Sequence, residues 1–99
     1  MKKRYVIARS YSAGVFAGTI TESKAELNGV NVVLTGARRI WYWKGAASLS
    51  QLSVDGTSNP SECKFPCEVA RVELKNVIEI LDVTPTAKKS IAGVPIWEM

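Results

Sequence analysis

The chain has 99 residues, the size of one domain (residues 1–99), and folding at this length buries roughly 60–65% of the surface an open chain exposes. An apolar fraction of 46% with 22% charged residues excludes disorder, and the lack of a run of about 18 apolar residues excludes a membrane-spanning helix. Thirteen Lys and Arg against nine Asp and Glu leave a net charge of +4, which favours anionic partners without being a nucleic-acid signature, because basic residues cluster only at Lys2-Lys3-Arg4, Arg38-Arg39 and Lys88-Lys89.

The basic start Met1-Lys2-Lys3-Arg4 imitates a signal peptide, but Arg9 interrupts the apolar run that follows, so no export signal is expected. Residues 4–9 carry β-branched and aromatic side chains and predict a strand. Tyr11-Ser12-Ala13-Gly14 predicts a short connection to a second strand over 15–21. The polar run 22–26 with Asn28-Gly29 reads as the next turn, since Asn-Gly adopts positive φ cheaply.

Residues 30–44 form the strongest strand candidate, bent at Gly36-Ala37. Alternation beyond the bend places Arg39, Trp41 and Trp43 on one face and Arg38, Ile40, Tyr42 and Lys44 on the other. Ser48-Leu49-Ser50-Gln51 matches a capping box, so a short helix starts there and closes at Asp55-Gly56. Residues 57–61 are a loop, and 64–75 are extended, with Pro66 at an edge or outside the ladder. Residues 77–83 predict a further strand, with a turn or bulge at Lys75-Asn76. Thr84-Pro85 opens a second helix that Gly93 stops, and the tail around Trp97 docks back. The expected fold is α+β: a small antiparallel β-sheet or partly closed β-barrel of about five to six strands with two short helices.

The chemistry available is narrow. The chain has no histidine, which removes Ser-His and Cys-His pairs and the usual proton shuttle near neutral pH. Neither GxxxxGK[ST] nor GxGxxG is present, so nucleotide hydrolysis and dinucleotide redox chemistry lack support. Glu68, Glu73, Glu79 and Asp82 are spaced like solvated strand-edge charges. Cys63 and Cys67 fall about 13 Å apart at strand rise, too far for a mutual disulfide. Two cysteines cannot complete a zinc site, so both read as small buried hydrophobes in a reducing cytoplasm. No cofactor, no metal and no catalytic residue is expected.

Arg38 through Lys44 concentrate three aromatic and three basic residues. Aromatic faces stack on bases and guanidinium planes donate paired bonds to phosphate, so Arg38, Arg39, Trp41, Tyr42, Trp43 and Lys44 are the candidate ligand-binding residues. Tyr11 and Ser12 join them if the turn they open forms an anion nest. On a central strand Trp41 and Trp43 are core residues more often than not, with Arg39 snorkelling at the sheet edge, which leaves Arg38, Tyr42 and Lys44 on the free face. In that arrangement Trp41→Ala is costly and Arg38→Ala barely changes stability.

Tyr11-Ser12-Ala13-Gly14-Val15, Gly18-Thr19, Ala37-Arg38-Arg39-Ile40-Trp41 with Trp43, Gly45-Ala46 and Leu49, and more weakly Val77-Ile78-Glu79-Ile80, resemble an uncharacterised family of small tailed-phage and prophage proteins. The resemblance implies a phage context and a host-cytoplasmic location, and brings no activity, cofactor or catalytic residue. A small phage protein without catalytic equipment works by binding. The leading expectation is a homo-oligomeric accessory protein that sequesters an anionic nucleotide-like host signal, a cyclic nucleotide or ADP-ribose derivative, to counter host defence. A protein-interaction module acting on a host factor or on phage proteins is the alternative, and single-stranded nucleic-acid binding the second.

Overall fold

The computed structural model describes residues 4–27 and 29–98; residues 1–3 of the basic start and Asn28 of the expected turn lie outside them. Four strands form, β1 (Arg4–Ser10), β2 (Gly14–Glu26), β3 (Gly29–Arg39) and β4 (Val69–Asp82). Each is antiparallel to two neighbours, and because β1 pairs with both β2 and β4 the ladder closes into a ring. Two helices, α1 (Leu49–Asp55) and α2 (Pro85–Ala92), pack on its outside.

Side-chain alternation sorts the apolar residues into two cores. Val6, Ala8, Phe16, Val32, Leu34, Ala37, Leu74 and Val77 fill the ring. Gly18 faces Ala37 and Leu34 so closely that an added Cβ would stand 3.1 Å from the Ala37 Cα, and the absent side chain lets the strands approach. Ile7 and Ala17 point outward, and with Ile40, Leu52, Phe65 and Ile91 they bind the helical layer to the ring. β1 is therefore buried on both faces, which is why its Val6-Ile7-Ala8 run is continuously apolar. Burying a side chain the size of Ile7 or Ile91 contributes about 1.5–3 kcal/mol.

The helices start where side chains can serve their free N–H groups. The Ser48 hydroxyl accepts from Gln51 N–H at 3.2 Å, and the Gln51 side chain accepts from Ala47 N–H at 2.7 Å. Thr84 caps α2 by accepting from Ala87 N–H at 3.0 Å, with Pro85 in the first turn. Gly56 ends α1 at φ +77, where a Cβ would meet the Ser90 side chain of α2 at 2.4 Å. No helix among the described residues is long and apolar enough to cross a membrane.

Four strands form where about five to six were expected, and the reason is local. The segments predicted over 64–75 and 77–83 supply one long strand, β4, which bends at Asn76 instead of turning. Asn76 takes φ +53, a conformation Asn tolerates better than most residues, and its N–H donates to the Asn31 side chain at 3.2 Å. Residues before the bend pair with β3 and residues after it with β1, while Val77 pairs with both. Lys64 and Phe65 make only isolated bridges, to Tyr42 and Ile96. The polar run 22–26 is not a turn but the continuation of β2 along β3.

Candidate functional site

β3 ends at Arg39, so the strand predicted to run through Lys44 stops five residues early. Ile40 N–H still donates to the Val15 carbonyl at 2.8 Å and the Ile40 side chain enters the outer core, but Trp41 and Tyr42 N–H both turn to the Lys64 carbonyl. Alternation therefore fails beyond Arg39, and the predicted site residues separate into three groups.

Arg38 does not lie on a free face; it is 5% exposed. Its guanidinium lies 5.5 Å from the Phe65 ring centroid and donates to backbone oxygens. Nε donates to the Pro66 carbonyl at 3.2 Å, Nη1 to those of Ile91 and Val94 at 3.0 and 2.9 Å, and Nη2 to those of Phe65 and Pro95 at 2.7 and 3.4 Å. These carbonyls lie where regular pairing runs out, at the close of α2 and around Pro66 and Pro95, which have no N–H of their own, so a planar five-donor fork fits the need. Burial pulls the Arg38 pKa down, opposed by its attraction to Tyr5 and Glu68. The side chain clamps the C-terminal tail to the ring and is removed from ligand binding.

Tyr42 and Lys44 face away from Arg39 as well. Tyr42 is 47% exposed, and Lys64 Nζ stands 5.8 Å from its ring and 5.6 Å from that of Trp97. Lys44 Nζ pairs with Glu62 at 3.6 Å, and its carbonyl accepts from the Thr57 hydroxyl, tying down the loop. The Asn59 amide donates to Glu62 at 2.9 Å, and together with Lys44 this holds the Glu62 carboxyl below the usual range.

The third group converges. Arg39 pairs with Phe16 across the ladder and folds back over it, its guanidinium carbon 4.3 Å from the ring centroid. Arg39 Nη1 donates to the Ala13 carbonyl at 2.7 Å, which fixes the fork against the β1–β2 turn. Gly14, at φ +93, lets that turn reverse. Ser12, Arg39, Trp41 and Trp43 thereby line one cleft of ≈ 430 Å³ with Val15 and Ile40. Trp43 is half-buried, its indole N–H donating to the Ala46 carbonyl at 3.2 Å. Trp41 is 65% exposed, contrary to its reading as core.

Tyr11, 81% exposed, does not line the cleft. The turn is no open nest: Tyr11 N–H donates to the Asn76 carbonyl and Ala13 N–H to the Ser10 hydroxyl. Of the carboxylates read as solvated charges, Glu79 pairs with Arg9, Asp82 with Arg4 and Glu73 with Arg71, all on exposed strand faces. Both cysteines are free; Cys63 is buried, but Cys67 is exposed, which corrects its reading as a buried hydrophobe. Among the described residues no three of Cys, Asp and Glu come together as metal ligands. Sequence reasoning missed the pairing of Lys64 with Trp97 and of Lys88 with Tyr5, and no local pattern announces either.

Residues 3–91 match the family model described as Domain of unknown function (DUF6948), and the chain belongs to that family. No curated protein and no solved structure matches the chain. The expectation of an uncharacterised family is met at that level.

Proposed function

We propose that the protein is a non-catalytic binder that holds an anionic nucleotide-like ligand in the cleft beside Arg39. The observation that supports it is an exposed indole, Trp41, next to a guanidinium already fixed in place by Ala13 and Phe16. Arg39 Nε and Nη2 make no hydrogen bond to a described residue, and two adjacent N–H donors suit two oxygens of a phosphate. Trp41 supplies a face for a base, with Ser12 and Trp43 bounding the cleft. As a phage accessory protein in the host cytoplasm, it would counter host defence by withdrawing a cyclic nucleotide or ADP-ribose-type signal.

Magnitudes bear on how such a protein works. Stacking one base contributes about 1–3 kcal/mol and charged hydrogen bonds about 1.5–3 kcal/mol each. One base and a phosphate held by two such bonds sum to about 4–9 kcal/mol, against an association cost of about 4–15 kcal/mol. Sequestration needs further walls, and a second copy of the chain closing the cleft supplies them in a homo-oligomer.

Thermal melting against cyclic dinucleotides, cyclic trinucleotides, ADP-ribose derivatives and short single-stranded DNA tests the reading. A ligand at 100 times its dissociation constant stabilises by about 2.7 kcal/mol. One nucleotide class should raise the melting temperature, be recovered intact, and lose its effect in Trp41→Ala and Arg39→Ala. A modified product, or no shift with any class, overturns it.

The protein-interaction reading has its own support in the exposed Tyr42 and Lys64 beside Trp97. A stoichiometric protein partner lost on Tyr42→Ala, with no nucleotide effect, would favour it. Single-stranded nucleic-acid binding is the second alternative, and a steep loss of affinity with salt would favour it.

A further inference from the structure

A second cleft, of ≈ 340 Å³, lies between the ring wall and α2 and shares no lining residue with the cleft beside Arg39. Tyr5, Thr19 and Arg38 face it from β1, β2 and β3, Lys88 from α2, Ile96 from the tail, and Glu68 from the segment leading into β4. Lys88 Nζ stands 5.1 Å from the centroid of the Tyr5 ring. Among the described residues, the Tyr5 and Thr19 hydroxyls make no hydrogen bond and Lys88 no ion pair, although each lines the same cavity.

Charge decides what such a cavity accepts. Arg38 has all its nitrogens on backbone carbonyls and cannot donate to a ligand, yet it has no carboxylate within ion-pair distance among the described residues. Its positive charge is left at the cleft wall, where low dielectric extends its reach. Arg38 and Lys88 against Glu68 leave one net positive charge in the lining. Burial raises the Tyr5 pKa, so the phenol stays a neutral donor at physiological pH. Ile96 adds an apolar wall.

We propose that this cleft binds a small organic monoanion, a monocarboxylate with a short apolar tail. Lys88 Nζ and the hydroxyls of Tyr5 and Thr19 hold the carboxylate, Arg38 supplies field without contact, and the tail lies against Ile96. A single charge balances the lining, whereas a phosphate dianion exceeds it and is repelled by Glu68. The site is separate from the nucleotide reading and stands or falls without it.

The test is a titration of the isotope-labelled full chain at pH 7 with butanoate and hexanoate, followed by amide NMR, with 1-butanol, butylammonium and inorganic phosphate as controls. Both carboxylates should give saturable shifts centred on Tyr5, Thr19, Lys88 and Ile96, hexanoate the tighter. Lys88→Met should weaken binding about tenfold, the loss of one charged hydrogen bond. Glu68→Gln should tighten it several-fold by removing repulsion; both residues are exposed, so the variants fold. Butanol matching butanoate, butylammonium or phosphate binding more tightly, weakening by Glu68→Gln, or no saturable shift would each overturn the proposal.

Discussion

The clamp around Arg38 and the cleft beside Arg39 begin at adjacent residues of β3 and put the same side chain to opposite uses. Arg38 points under the tail, where five carbonyl oxygens consume its donors. Arg39 points over Phe16, makes one backbone hydrogen bond, and keeps an edge toward solvent. A one-residue step on a strand changes the face, and here the face decides whether an arginine is structure or surface. A basic dipeptide in a strand therefore counts as at most one candidate ligand residue, not two.

Stability measurements can break that contrast. Arg38→Ala strands the carbonyls of Pro66, Val94 and Pro95, while those of Phe65 and Ile91 keep backbone donors, and should cost about 3–5 kcal/mol by urea denaturation, with a fall in melting temperature above about 10 °C. Arg38→Lys should recover less than half, because one ammonium cannot reach carbonyls on both Phe65 and Ile91. A loss under about 1 kcal/mol in Arg38→Ala would mean the tail holds without its clamp. Arg39→Ala removes one hydrogen bond and one cation–π contact at the surface and should cost about 1 kcal/mol. Trp41→Ala should stay within about 0.5 kcal/mol of the parent while abolishing nucleotide binding.

The smallest effect concerns Tyr5, beside Arg38. Burial raises its pKa above the ordinary value of 10.0, so the fold favours the neutral phenol. Its contribution is fully present below about pH 10 and is lost as pH rises through the elevated value. Tyr5→Phe should flatten the alkaline limb of a stability–pH curve relative to the parent, and an unchanged limb would place that loss on other groups.

What was legible in the sequence was local chemistry. Ser48 with Gln51, Thr84 with Pro85, and the stops at Gly56 and Gly93 each act within a few residues, and both helices form where those residues put them. What was illegible depended on distant partners. Parity alone carries a strand through Lys44, yet β3 ends once Trp41 and Tyr42 turn to the Lys64 carbonyl. Arg38 was placed on a free face because carbonyls from residues 65, 66, 91, 94 and 95 leave no mark in the pattern around residue 38. The expected costs of Arg38→Ala and Trp41→Ala accordingly exchange places. Of the candidate ligand residues, Ser12, Arg39, Trp41 and Trp43 do share a cleft.

Closure of the ring also sets an order of events during folding. β1 completes its wall against β4, with Val6 opposite Asp82 and Ala8 opposite Ile80, so the first strand waits for nearly the last. On the ribosome only the hairpins of β1, β2 and β3 can assemble early, and both edges of that three-stranded piece stay open until β4 emerges. Such long-range pairing places folding in about the millisecond-to-second range. Any truncation that removes β4 should release a sticky, edge-exposed sheet, not a smaller version of the same protein.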